Sequence, residues 1–99
     1  MSGITVEQLE ASLDGSASPA GLSPCVQALW FEAKGDWHRA HELAQAGDDA
    51  ESAWVHAYLH RVEGDLGNAA YWYRRAGRPQ TDRALREEWR AIAGDLLTR

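Results

Sequence analysis

Residues 53–76 read AWVHAYLHRVEGDLGNAAYWYRRA, and this stretch decides the fold. Apolar residues recur at helical spacing on both sides of Gly64-Asp65. Trp54, Val55, Tyr58, Leu59 and Val62 cover one broad arc of the first run, with His56, His60 and Glu63 along its edge. Leu66, Ala69, Ala70, Tyr73 and Ala76 line one side of the second run. A glycine can take the left-handed conformation that ends a helix, and an aspartate directly after it can cap the next one. The stretch therefore predicts two antiparallel helices joined by a tight turn.

Working outward, the same arrangement occurs 29 residues earlier, where Gly35-Asp36 falls on Gly64-Asp65. In that register Ala28 matches Ala57, Phe31 matches His60, Trp37 matches Leu66, Ala40 matches Ala69 and Ala44 matches Tyr73. Small residues let paired helices approach closely, and each hairpin needs a neighbour to bury its other face. Gly47-Asp48 reads as a third turn of this kind. Ser23-Pro24 is an N-cap followed by proline, Thr5 and Gln8 have capping-box spacing, and Thr81 can cap a last helix after Gly77 and Pro79 have stopped the one before. Helices are expected at about 5–13, 24–34, 37–46, 50–63, 66–76 and 82–97, with no strand. Leu85, Trp89, Ile92 and Leu96 form an apolar stripe on the last helix, and Val6, Leu9 and Leu13 a weaker one on the first. Residues 14–21 (DGSASPAG) show no periodicity and read as a mobile linker, so the first helix is expected to dock loosely. The expected fold is all-α, in one domain over residues 1–99 with five to six helices. Two stacked helical hairpins (22–77) are flanked by an N-terminal helix with its linker (1–21) and a C-terminal capping helix (78–99).

Residues 28–44 (ALWFEAKGDWHRAHELA) and 53–76 resemble tetratricopeptide repeats, which carry a small residue and an aromatic in the first helix, Gly-Asp at the turn, then Ala, an aromatic and Ala. Ala57, Gly64, Asp65, Ala69, Tyr73 and Ala76 fit the pattern in the second unit, and Ala28, Phe31, Gly35, Asp36 and Ala40 fit it in the first. The likeness covers roughly half the chain. It departs from the family in its offset of 29 where the family has about 34. His60 also stands where the first unit has Phe31, and no proline closes either unit. The resemblance implies a scaffold of helical hairpins, which serves many unrelated partners. Residues 54–77 are also similar to small bacterial proteins of this length, a likeness that implies no particular activity.

With 44% hydrophobic residues and five Trp, the chain is too apolar and too aromatic to stay disordered. No apolar run approaches the roughly 20 residues that span a bilayer, and the first residues lack the basic-then-apolar pattern of a signal peptide. The lone Cys25 has no partner for an internal disulfide. These features predict a cytoplasmic chain without a membrane partner. The net charge of −5 argues against a grip on nucleic acid. Charge is polarised: residues 1–65 hold 3 basic and 11 acidic side chains, residues 66–99 hold 7 and 4. Nucleophile-elbow, P-loop and dinucleotide motifs are missing, so no catalytic residue and no cofactor is expected, and whether the chain is an enzyme stays open.

His56 and His60, four apart, point from one face of their helix, a spacing that lets two imidazoles share a metal. Glu63 lies three residues further, and additional ligands would come from His38, His41 or Glu42. The same pair can instead fill the seam between helices as hydrogen-bonded core groups, donating to carbonyls or to Glu63. The sequence leaves both readings open. On the wheel of their helix, His38 and His41 face away from Trp37, Ala40 and Ala44 and read as surface residues, with His41 within reach of His56. Tyr71 points outward with Arg74 one turn later, an amphipathic pair suited to a carboxylate or phosphate. The leading expectation is a non-catalytic interaction module. Its groove, lined by His56, His60, Arg61, Tyr71, Trp72 and Arg75, would receive a protein or peptide partner or a small anionic ligand. The alternative is a metal-binding protein or metal-dependent enzyme using His41, His56, His60 and Glu63. A third reading is a homo-oligomer, a homodimer in the simplest case, with Trp30 and Trp89 in its interface.

Overall fold

One helix is buried on every side through its middle turns, and the others are arranged around it. The computed structural model describes residues 4–98. Its helices are α1 (Val6–Ala11), α2 (Pro24–Ala33), α3 (Trp37–Gln45), α4 (Ala50–Glu63), α5 (Leu66–Ala76) and α6 (Leu85–Leu97), with a 3-10 turn at Ser12–Asp14 after α1. The described residues include no strand, and no helix among them is long and apolar enough to cross a membrane. In α4, residues 52–60 are buried without a break. The α2–α3 and α4–α5 pairs form the two expected hairpins, α3 lies on α4 where the hairpins stack, and α6 crosses both α2 and α4.

The repeat is visible atom by atom at the two Gly-Asp turns. Gly35 and Gly64 have φ of +89 and +88, a conformation that any Cβ would strain. The Asp36 amide donates to the Phe31 carbonyl, and the Asp65 amide to the His60 carbonyl, each at 2.9 Å. The side chains of Asp36 and Asp65 then accept from the amides of Arg39 and Asn68 at 3.1 and 3.2 Å. Between the turns, the matched pairs Ala28 and Ala57, Ala40 and Ala69, and Ala44 and Tyr73 are all buried.

Several expectations need correction. Gly47 is not left-handed, and Asp49, not Asp48, caps α4 by accepting from the Ser52 amide at 2.8 Å. Close packing is what Gly47 provides, because a Cβ there would stand 2.2 Å from Ser52 Oγ. The last helix begins at Leu85 with Ala84 at its N-cap, while Thr81 Oγ1 accepts from the Arg83 amide within the preceding loop. Leu66, expected in the core, is 64% exposed. Its repeat partner Trp37 packs on the next hairpin, and among the described residues no further hairpin follows α5 to cover Leu66. The first helix packs on α6: Leu9 is fully buried, Glu10 pairs with Arg86 and Arg90, and Glu7 with Arg90. Lys34 Nζ ties down the start of the non-periodic segment by donating to the carbonyls of Leu13 and Gly15 at 2.7 and 2.8 Å. Trp30 and Trp89 are 2% and 1% exposed and lie in the core, not at an interface. Their indole N–H groups donate to Ser12 Oγ at 3.0 Å and to the Leu29 carbonyl at 2.8 Å.

The C-terminal helix is fastened by a buried carboxylate. Glu88, 4% exposed, accepts from Arg61 Nη1 of α4 at 2.8 Å and from the Tyr73 hydroxyl of α5. Arg61 Nη2 donates in turn to the Arg83 carbonyl. Burial, with the bond to Glu88, pushes the Tyr73 hydroxyl well above the ordinary phenol range and keeps it a donor. Removing one partner of a buried ion pair leaves the other charge uncompensated. Arg61→Ala is therefore expected to cost about 3–5 kcal/mol in urea unfolding, and Arg61→Leu combined with Glu88→Leu and Tyr73→Phe, which removes all three polar partners together, to recover most of that loss.

Candidate functional site

Where α3 crosses α4, two stacks of rings, Trp37 with His41 and Trp72 with His56 and His60, meet edge to face, His41 standing 4.6 Å from His56 at 88°. The capped turn at Asp36 starts α3 so that Trp37 and His41, one turn apart, lie on the side facing α4. Their rings stack at 4.9 Å and 15°, and the Trp37 indole N–H donates to the Leu59 carbonyl of α4 at 2.8 Å. On α4 the His56 and His60 rings stack at 4.9 Å and 19°. Trp72 of α5 closes the far side, its ring 3.9 Å from that of His56 and 13° from parallel. His56 and His60 are buried and His41 half-buried.

Polar bonds hold the imidazoles in place. Nε2 of His56 lies 2.9 Å from Nε2 of His41, so in the neutral pair one N–H donates to the other ring's lone pair. His60 Nδ1 is 3.1 Å from Glu63 Oε1, which leaves its Nε2 as the available lone pair. Burial, reinforced by the neighbouring His41 and His60, lowers the His56 pKa to about 4. Burial and His60 also lower that of His41, with Glu63 opposing. At neutral pH both rings are therefore uncharged, the form that ligates metal.

One ring nitrogen from each of His41, His56 and His60 can be chosen so that all lie within 4.8 Å of one another. Three nitrogens bound tetrahedrally to one ion at about 2.0–2.1 Å are about 3.3 Å apart. The His41 and His56 nitrogens, 2.9 Å apart, are already near that spacing, while the stacked His56 and His60 rings would have to turn out of parallel for both to aim a lone pair at one ion. His60, Glu63 and Asp65 form a second, more exposed group, but both Asp65 oxygens already accept from Asn68, at 3.2 and 2.9 Å.

The structure thus unites His41, His56, His60 and Glu63, the metal set expected from the sequence, and adds Trp72. The expected six-residue groove is not one surface. Arg61, next to His60 in sequence, projects from a different side of α4 and is held by Glu88. Tyr71 and Arg75 lie on the outside of α5, where Arg75 Nη1 donates to the Tyr71 hydroxyl at 3.2 Å and its guanidinium covers Trp72 at 5.3 Å. Tyr71 therefore pairs with Arg75, not with Arg74. His38 is exposed as expected, but His41 faces inward with Trp37. Sequence reasoning missed Trp37 as a wall of the site; the spacing of four between Trp37 and His41 was the signal that could have found it. Compared with known protein families, curated proteins and solved structures, the chain matches none.

The lowered His56 pKa makes the metal-free protein acid-sensitive. An unfolded histidine takes up its proton near pH 6.5, the folded one only near 4, so stability present above pH 6.5 drains away as pH falls toward 4. The loss is expected to reach at most about 3 kcal/mol. Urea unfolding at pH 7.5, 5.5 and 4.5 should show a smaller acid loss in His56→Phe than in the parent protein.

Proposed function

We propose that this protein binds a divalent transition metal through His41 Nε2, His56 Nε2 and His60 Nε2. The observation that carries the reading is the convergence of three imidazoles from two hairpins, at least two of them neutral, in a mostly buried cluster. Imidazole donors suit zinc, copper, nickel and cobalt, while calcium and magnesium prefer oxygen. Glu63 fits the part of a carboxylate that accepts from the non-ligating nitrogen of a ligand histidine, fixing its tautomer and orientation. On binding, the proton shared between His41 and His56 passes to the Nδ1 of one of them, so both Nε2 lone pairs face the ion.

The broader expectation, a surface for a peptide or a small anion, would use the outside of α5, where Arg75 lies over both Tyr71 and Trp72. The metal reading is preferred because it alone uses His41, His56 and His60 together. Without an ion the same contacts amount to a hydrogen-bonded packing of rings.

Native mass spectrometry of untagged protein, followed by zinc and nickel titration, separates these readings. One ion per chain is expected. His56→Ala and His60→Ala should each lose it while keeping their helical circular dichroism, and Glu63→Ala should bind about 10–100-fold more weakly. Metal at 100 times its Kd should add about 2.7 kcal/mol of stability. Failure to bind at micromolar metal, or equal binding by a His56→Ala/His60→Ala double variant, would sink the proposal.

A further inference from the structure

Three imidazoles leave a coordination shell one donor short. Zinc-like ions in sites closed by four protein ligands are structural, whereas three protein ligands leave a position for water or an incoming ligand. Among the described residues, the His41, His56 and His60 cluster has no fourth imidazole, thiol or carboxylate whose ligating atom joins the other three. Residues 1–3 and 99 carry no such side chain. The neighbours of the cluster cannot complete the shell as they stand. Glu63 is bonded to His60 Nδ1, and Asp65 caps α5 through Asn68. Trp37 and Trp72 stack on His41 and His56, and an indole offers an N–H donor but no lone pair to a metal. The Trp37 N–H is in any case spent on the Leu59 carbonyl.

Resting on the metal reading, we infer that the centre keeps its fourth position open on the His41 side and takes a small anionic monodentate donor from outside the chain. His56 and His60 are buried while His41 is half-buried, so His41 is the member of the three nearest to solvent. Three neutral imidazoles cancel none of the ion's charge, and an anion is the donor class that does. Hydroxide and carboxylates belong to that class, with azide as a convenient probe. Exchange is plain ligand substitution: the incoming lone pair forms the new bond, bound water departs intact, and the metal's oxidation state does not change.

Cobalt(II) makes the test visible, because its absorption reports both coordination number and donor type. The full-length protein loaded with one cobalt per chain is titrated with sodium azide, and separately with sodium acetate. The expected result is a shift of the visible bands that saturates at one azide per cobalt and reverses on dialysis, with a weaker response to acetate. Cobalt bands that form but ignore both anions would overturn the open position while leaving the metal reading intact. A response seen only in Glu63→Ala would show that the Glu63 carboxylate fills the fourth position, and would also overturn it. If no cobalt is retained, the metal reading fails first and this inference falls with it.

Discussion

The burial of the middle of α4 is the constraint from which the other features follow. Nine successive residues, 52–60, are shut away from solvent, so this stretch has no wet face on which to place polar groups. It nonetheless carries Ser52, His56 and His60. An unpaired buried polar atom costs about 1–3 kcal/mol, which obliges the neighbouring elements to supply partners. Cys25 of α2 lies 3.4 Å from Ser52 Oγ, His41 of α3 meets His56, and Glu63 serves His60. No described buried side-chain nitrogen or oxygen lacks a partner. The polar content of the central helix thus selects what the surrounding helices present to it.

Two of the polar clusters along α4 differ in kind. Around Glu88, a carboxylate meets a guanidinium and a phenol, and its two oxygens each receive a donor. That cluster is closed in charge and in hydrogen bonds, and its work is to fix α6 against α4 and α5. The imidazole cluster is satisfied only by rings sharing protons with one another and with one rim carboxylate. Its uncharged His41 and His56 rings meet nitrogen to nitrogen, the protonation state that a metal requires of its ligands. That difference is why the proposed site is placed at the cluster between Trp37 and Trp72, although both clusters tie helices together.

The fold was largely legible because its punctuation is local. Gly35-Asp36 and Gly64-Asp65 announce their turns through the left-handed glycine and the capping aspartate, and the 29-residue register carries over to buried alanines on both hairpins. Reading failed where tertiary packing decides. Thr81 looks like a cap, but the loop before α6 is held by Arg61 reaching the Arg83 carbonyl, and the helix starts later. Leu66 looks like core by periodicity, yet whether an apolar residue is covered depends on a further hairpin that periodicity does not register. At the site, the spacing of His56 and His60 was readable within one helix. The inward turn of His41 was not, because it depends on Trp37 anchoring to the Leu59 carbonyl across the hairpin junction.

The position of the cluster would tie the proposed metal binding to the architecture. His41 belongs to the first hairpin and His56 and His60 to the second, so an ion held by all three bridges the α3–α4 contact on which the stacking rests. Two helical hairpins are near the lower limit for a self-supporting stack, because stability grows with each interface between neighbouring units and here there is one. A chain of 99 residues also buries a smaller share of its surface than a larger domain does. If the proposed metal binds, its binding free energy would at the same time be free energy of hairpin stacking, since the unfolded state offers no preformed set of ligands. The rings between Trp37 and Trp72 couple the two hairpins through packing and through the His41–His56 hydrogen bond, and the proposed ion would add coordination bonds across the same junction.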